Sequence, residues 1–344
     1  MRFYVFKIFG TSKVMRFFPP IVTGPVIIAI GLTLSGTAIQ SCSANWLVAL
    51  VAIAVVVICN IWGKGMIKIV PILLGVVASY LFAVIVDPAT RENVAASVAA
   101  AKWFGFPVIW ENTALSIFGA DLDAGMLLTA IITIAPISLA TIVEHVGDVC
   151  AISSTVGKNY VEDPGLHRTL VGDGFATTLS ALLGGPANTT YGENTGVLAL
   201  SKVYDPKVVR LAAIFAIVIS FCPKFAALIV AMPAATMGGV SLVLYGMISS
   251  VGVRNVVENQ VDFTKSRNVL IAAMILVLAI GLKYGTGDVG GVTFMLGNVN
   301  ITLSGLAIAA LVGILMNAIL PGKDYEFGVN QQGDTSVNFG ARQD

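Results

Sequence analysis

The chain has 344 residues, of which 56% are apolar and only 11% are Asp, Glu, Lys or Arg. Water-soluble domains carry about 25% of such charged residues, so this composition excludes a soluble globule and predicts a polytopic membrane protein. The formal net charge of +1 gives no electrostatic reason to expect a nucleic-acid partner.

Apolar segments long enough to cross a bilayer recur along the whole chain. A helix needs about 20 apolar residues to cross the hydrocarbon core. Windows of roughly that length lie at 18–39, 44–61, 67–86, 125–149, 208–231, 233–253, 267–284 and 301–320. The stretch 164–204 has room for two more helices, although glycine, proline and polar residues interrupt it. The sequence therefore predicts ten crossings.

The distribution of basic residues predicts the orientation of these spans. With the N-terminus in the cytoplasm, 16 of the 20 Lys and Arg residues fall in predicted cytoplasmic segments and 4 fall outside. Positively charged loops stay in the cytoplasm, so both termini are predicted to be cytoplasmic. The long segment 87–124 is then predicted to be extracellular, and the polar segment 321–344 a cytoplasmic tail.

Two of the predicted spans resemble each other. "FPPIVTGPVIIAIGL" (18–32) aligns without gaps with "MPAATMGGVSLVLYG" (232–246), and the alignment matches Gly24 with Gly238. The two spans are seven crossings apart, so they run in opposite directions, as the halves of an inverted repeat do. The second copy follows four spans and the first copy follows only a short segment. We therefore expect four further spans before this chain in a fourteen-span protein.

Acidic residues inside the predicted spans are the first candidates for a binding site. A charge at the bilayer centre costs roughly 2.5–3.5 kcal/mol, so Glu144 is predicted to face the protein interior and bind a ligand or partner. Asp148 lies on the same helical face one turn later and is a candidate proton carrier, or alternatively a solvated residue near the headgroups. His145 lies about 100° away around the helix, where a structural and a functional histidine are both compatible with the pattern.

The second candidate region is the interrupted stretch "GGPANTTYGENTGVLAL" (184–200). The glycines and proline are predicted to end one helix, "ANTTYG" to be extended, and Asn194 or Thr195 to cap a new helix. Exposed backbone N–H groups at such a restart form a polar site, which favours Glu193 as a ligand-binding carboxylate over a purely structural acid. Asp173, in the preceding helix, is predicted to serve either a proton path or a helix-packing contact.

Three strings carry a family resemblance: "EHVGD" (144–148), "EDPGLHRTLVGDG" (162–174) and "GGPANTTYGENTGVLALSKVYD" (184–205). They resemble the bacterial uracil permeases of the nucleobase–cation symporter 2 (nucleobase–ascorbate) family, and the similarity extends from about residue 10 to 320. The resemblance implies an all-α polytopic membrane fold with a short extended segment in a broken helix. It also implies fourteen spans in two inverted repeats, of which this chain matches the last ten.

The resemblance also assigns roles to residues of the site. It implies that Glu144 and Glu193 bind the N–H edges of uracil, while Gly192 and its neighbours Tyr191 and Asn194 serve the ring carbonyls. It implies proton coupling through the ionisable residues Asp148, His145 and Asp173. The implied partners are uracil, protons, the lipid bilayer and a second copy of the chain in a homodimer, with no nucleic acid. No cofactor is implied.

The implied function is proton-coupled uracil uptake across the bacterial plasma membrane. The implied organisation, in chain order, is a gate domain (14–86), an extracellular loop (87–124), a core domain (125–231), a second gate part (233–320) and a cytoplasmic tail (321–344). Two alternatives remain: a xanthine or purine symporter of the same family, and a non-transporting fragment that acts as an assembly subunit. An enzyme is disfavoured, because the sequence offers no nucleophile–base pair and no HExxH-type metal spacing.

Overall fold

The computed structural model describes residues 19–119, 160–191, 203–287, 290–296 and 299–323 continuously, with individual residues between 125 and 158 and between 194 and 198. The helices are α1 Pro20–Cys42, α2 Trp46–Trp62, α3 Met66–Ile69, α4 Pro71–Val86, α5 Pro88–Ala100, α6 Leu166–Leu182, α7 Pro206–Ser220, α8 Pro223–Val230, α9 Ala234–Glu258, α10 Ser266–Gly285 and α11 Gly305–Ile319. Every described residue from 125 to 156 is also helical. The all-α prediction is therefore confirmed.

Helix lengths fit a membrane protein within the described ranges. By length and composition, α1, α9 and α10 can each cross a bilayer. Two further pairs are bent: α4 and α5 meet at 110°, and α7 and α8 meet at 94°. The helices α2 and α11 are apolar but shorter, with 17 and 15 residues. The predicted span 125–149 and the predicted helix restart after residue 193 lie partly outside the described residues.

The window 208–231, predicted as one crossing, is divided in the structure between α7 and α8, which together are long and apolar enough for one broken span. Pro223 occupies the first position of α8, where its missing N–H costs nothing, whereas inside a helix it would break a backbone hydrogen bond. The window 67–86 is similarly interrupted, with α3 ending before Pro71 and α4 starting at it. Proline position therefore set these helix boundaries.

A two-stranded hairpin precedes the last helix and corrects the predicted span 301–320. Strand β1 (Gly291–Leu296) pairs antiparallel with β2 (Val299–Ser304), and α11 begins only at Gly305. Ser304 caps this helix, because its Oγ accepts a hydrogen bond from the amide of Ala307 at 3.3 Å. The sequence signal for the hairpin was a Gly-Asn pair between two runs rich in β-formers, which the apolar-window criterion overlooked.

The chain divides into two compact units. The first comprises Met1–Thr33, Asn112–Thr195 and Met247–Asp344, and the second comprises Leu34–Glu111 and Gly196–Gly246. In the first unit, α1, α10 and α11 share an apolar core that includes Val26, Ile271 and Ala310. In the second unit, a smaller core joins the end of α1 to α2, α4 and the start of α9.

The two spans that resemble each other, α1 and α9, pack through their glycines. In the first unit Gly24 lies against Gly252 and Val256, and a Cβ added to Gly24 would lie 2.3 Å from Val256 Cγ2. In the second unit Gly238 lies against Ala38, and its added Cβ would be 2.8 Å from the Ala38 carbonyl oxygen. The same separation of 214 residues relates Gly24 to Gly238 and Ala38 to Gly252. The two close contacts are thus equivalent, as an inverted repeat requires.

Candidate functional site

The predicted break in the helix is present at the C-terminus of α6. This helix ends at Leu182, and residues 185–191 have no regular secondary structure. Gly184 has a φ of +81°, and a Cβ at this position would lie 2.6 Å from the carbonyl oxygen of Asn112. Both the backbone conformation and the close contact require glycine here. Residues 185–191 are called the extended segment below.

His145 connects the helix that contains it to α6 and to the extended segment. The side chain is buried, with 4% of the residue exposed. Its Nδ1 lies 2.7 Å from Thr190 Oγ1, in the extended segment, and its Nε2 lies 2.9 Å from Thr169 Oγ1, in α6. Asp173 Oδ2, one turn further along α6, is 4.0 Å from Nδ1. The structure therefore brings together two of the predicted proton-coupling residues, His145 and Asp173.

Each ring nitrogen of His145 has a threonine hydroxyl within hydrogen-bond distance, and which nitrogen donates depends on the tautomer. The Thr169 hydroxyl also lies 3.2 Å from the carbonyl oxygen of Leu166, to which it can donate. The two threonines therefore hold the imidazole at both of its nitrogen-bearing edges.

Two further hydroxyl groups of α6 bind the extended segment. Ser180 Oγ donates to the carbonyl oxygen of Pro186 at 2.7 Å, and Thr177 Oγ1 lies 2.9 Å from the carbonyl oxygen of Asn188. The amide of Gly185 also donates to the Ser180 carbonyl at 2.8 Å. These bonds satisfy backbone groups that would otherwise be costly at membrane depth, since extended backbone there needs protein partners.

An apolar cluster lies next to this polar site, with Val149 one turn after His145 on the same face of its helix. Val146 and Val149 are buried against Val161, Leu166 and Leu170. The flanking valines fix the rotation of their helix against the start of α6, because burial of each such side chain stabilises the contact by about 1.5–3 kcal/mol. His145 is held in register with Thr169 as a result.

The remaining predicted site residues are placed as follows. Asp148 is buried, with 8% of the residue exposed, which does not fit the alternative of a solvated residue. Tyr191 is 64% exposed, and its carbonyl oxygen accepts a hydrogen bond from the amide of Asn194 at 3.3 Å. Asn194 itself is helical, which agrees with a helix restart at this point. The predicted ligand-binding residues Glu144, Gly192 and Glu193 lie outside the described residues.

Sequence reasoning missed three hydroxyl residues of α6, Thr169, Thr177 and Ser180. Together with Asp173 they follow one another at intervals of four, four and three residues. At about 100° per residue they fall within an arc of roughly 80° on one helix face. This polar stripe in an otherwise apolar span was the available signal, because hydroxyl and carboxyl groups in a span are expected to face protein rather than lipid.

Comparison with known proteins yields a consistent set of relatives. A family described as "Permease family" matches residues 2–287. The chain is 40% identical to the uracil permease of Bacillus caldolyticus over 328 residues, which cover 93% of this chain and 71% of that protein. It is 36% identical to the Bacillus subtilis uracil permease over 340 residues, covering 95% and 73%. It is 34% identical to the Escherichia coli K12 uracil permease over 331 residues, covering 92% and 70%.

These similarities span most of the chain rather than a single motif, and they include both the broken helix and the helix that carries His145. They agree with apolar helices long enough to cross a bilayer, and they indicate a transporter rather than an enzyme. The chain belongs to the permease family and is a multi-pass membrane protein.

Proposed function

We propose that this chain carries the substrate site of a uracil:proton symporter that imports uracil across the bacterial plasma membrane. The observation that carries the proposal is the similarity to proteins named uracil permease, at 34–40% identity over more than nine-tenths of the chain. The local support is a partly buried polar cluster at a broken helix, a place where transporters of other folds bind their substrates.

The proposed binding groups match the chemistry of uracil, an uncharged ring with neighbouring N–H and carbonyl groups. Glu144 and Glu193 accept hydrogen bonds from the ring N–H groups. Backbone groups of Gly192, with Tyr191 and Asn194 beside it, serve the ring carbonyls. An analogue without these N–H groups would leave buried carboxylates without partners, which costs more than the bonds contribute. This asymmetry is the proposed source of selectivity.

The proposed proton-coupling groups are Asp148, His145 and Asp173, all in the first compact unit, with Asp148 and His145 buried. The Asp173 side chain is 11% exposed. Protonation of a buried carboxylate removes a charge that is costly in the membrane, and so eases movement of the loaded site. In this proposal the core (125–231) moves against the gate (14–86 and 233–320). The loop (87–124) lies outside, the tail (321–344) lies in the cytoplasm, and a homodimer forms through the gate.

The test is uptake of radiolabelled uracil by bacteria that lack their own uracil permease and express this chain. We expect uptake above the empty-vector level, competition by unlabelled uracil but not by xanthine, and loss of uptake with a protonophore. The double variant Glu144→Gln/Glu193→Gln serves as the inactive control. Equal competition by xanthine would instead support a purine symporter. Uptake that appears only on co-expression with a second permease polypeptide would support an assembly subunit.

A further inference from the structure

The extended segment is attached to α6 at alternate residues. Ser180 binds the backbone of Pro186, and Thr177 binds the backbone of Asn188. The third attachment, at Thr190, is made through His145 and not directly by α6. Residues 186, 188 and 190 of the segment are attached to residues 180, 177 and 169 of α6, so the segment runs antiparallel to the helix.

The distance between Thr169 and Thr190 explains why the side chain of His145 mediates the third attachment. Two residues of extended chain advance about 6.6 Å, whereas the eight residues of α6 from Thr177 to Thr169 span about 12 Å. A direct bond between Thr169 and Thr190 is therefore out of reach. The imidazole has hydrogen-bonding nitrogens on two edges, so it fills the gap and contacts one threonine with each.

Thr190 immediately precedes Tyr191, the first residue of the proposed ligand-binding run 191–194. Its position therefore sets where this run begins. We propose that His145 is the positioning residue of the uracil site: its ring holds Thr190 against α6 and thereby orients the chain that follows, from Tyr191 onwards. This inference rests on the proposed function and narrows it, because it gives His145 a positioning role that does not require its ring to carry the transported proton.

The charged groups near His145 are carboxylates. The described carboxylate that faces the ring is Asp173, whose Oδ2 lies 4.0 Å from Nδ1, beyond direct hydrogen-bond distance. Asp148 is three residues further along the same helix, and Glu144 precedes His145 in sequence. Nδ1 is engaged at 2.7 Å by the Thr190 hydroxyl, the shorter of the two contacts.

The experiment compares uracil binding and uptake for the full chain and four variants: Thr190→Val, Thr190→Ser, His145→Asn and Thr178→Val. Thr178 is the matched control, because it lies on α6, is exposed, and donates to the carbonyl of Gly174 in its own helix. Loss of the Thr190 hydroxyl is expected to weaken uracil binding about 5- to 10-fold, the effect of one buried neutral hydrogen bond. Thr190→Ser is expected to bind as the wild type does, because it keeps the hydroxyl.

His145→Asn is expected to raise the uracil Kd and the uptake KM by a similar factor to Thr190→Val, with little change in maximal velocity. A fifth variant, Thr190→Val/His145→Asn, is expected to bind uracil no more weakly than the poorer of its two single variants, because both changes break the same connection. Thermal unfolding in detergent identifies any variant that fails to fold. If Thr190→Val does not fold, Thr190→Ser still tests whether a hydroxyl at this position is enough for uracil binding. The midpoint of the pH profile of uptake is expected to stay unchanged in His145→Asn.

Three results overturn the proposal. Wild-type uracil affinity in both Thr190→Val and His145→Asn removes the positioning role while the proposed function stands. A pH midpoint displaced in His145→Asn, with binding intact, makes His145 a proton carrier. If the wild-type chain itself neither binds nor transports uracil, the proposed function fails and the inference fails with it.

Discussion

Individual side chains decide the chemistry of this site, and the sequence pointed to several of them for physical reasons. Ionisable residues are rare inside apolar spans because each one is costly there, so His145, Asp148 and Asp173 stood out. The structure buries Asp148 and places His145 beside Asp173. The partners of His145, Thr169 and Thr190, did not stand out, because threonine is common in spans and the contacts join residues 24 and 45 positions away.

The two glutamates proposed to bind uracil give the most direct prediction at the residue scale. Replacing either Glu144 or Glu193 by Gln removes a charge-assisted hydrogen bond to uracil, which should weaken binding by about 10- to 150-fold. Isothermal titration of uracil against the purified chain measures the effect. Glu92→Gln, on the exposed surface of α5, is the matched control and should bind normally. Normal binding in Glu144→Gln or Glu193→Gln would remove that residue from the site.

Asp262, in the turn between α9 and α10, gives a prediction of pH dependence. The hydroxyl of Thr264, then its amide and the nearby Lys265 charge, hold the pKa of this carboxyl below its usual value. A lowered folded-state pKa stabilises the fold above the unfolded-state pKa, and the contribution disappears as pH falls through the folded-state pKa. Asp262→Ala should therefore have a lower Tm than the wild type near pH 6, and the difference should shrink as the pH falls below about 4, the ordinary pKa of an Asp side chain. A Tm difference that is constant with pH would contradict this.

At the scale of elements, α6 shows how one helix serves both lipid and site. Its hydroxyl and carboxyl residues occupy one arc and bind His145 and the extended segment. Val171, Phe175 and Leu179 are exposed on the opposite arc. This pattern inverts that of a soluble protein, because the solvent is hydrocarbon and polar groups must find protein partners. The two faces could be read from the sequence, but the route of the extended segment could not.

The glycine contacts between α1 and α9 give the prediction at this scale. A Cβ on residue 238 would lie 2.6 Å from the amide nitrogen of Cys42 and 2.8 Å from the Ala38 oxygen, both of which are backbone atoms that cannot rotate away. Gly238→Ala should destabilise the protein by about 1–3 kcal/mol, measured by thermal unfolding in detergent. Gly246→Ala in the same helix is the control, because no atom lies within 4 Å of its added Cβ. Equal stability of the two variants would show that the helices do not pack closely.

At the scale of the whole molecule, composition and charge predict the class of protein and the orientation of its spans. A chain with 11% charged residues has to be a membrane protein, and the excess of Lys and Arg in alternate loops predicts the orientation of its spans. The alignment of α1 with α9 predicted an inverted repeat, and the equivalent contacts of Gly24 and Gly238 agree with it. Family membership rests on similarity over residues 2–287.

Cysteine labelling tests the proposed orientation. The four native cysteines are first replaced by alanine. A single cysteine then replaces either Glu92, on the exposed surface of α5, or Asp262, in the turn before α10. A membrane-impermeant thiol reagent should label Glu92→Cys in intact cells. It should label Asp262→Cys only after permeabilisation, because the loop before α10 is assigned to the cytoplasm. The reverse pattern would invert the topology.

The sequence by itself determined the membrane class, the approximate positions of most spans, the break after Leu182 and the family. These properties depend on local composition, on proline and glycine, and on hydrophobic length, which act over a few neighbouring residues. Only the tertiary structure decided that α7 and α8 form a bent pair, that a hairpin precedes α11, and that His145 joins Thr169 to Thr190. Such contacts depend on how distant segments approach one another, and a pattern within one segment cannot specify its partner.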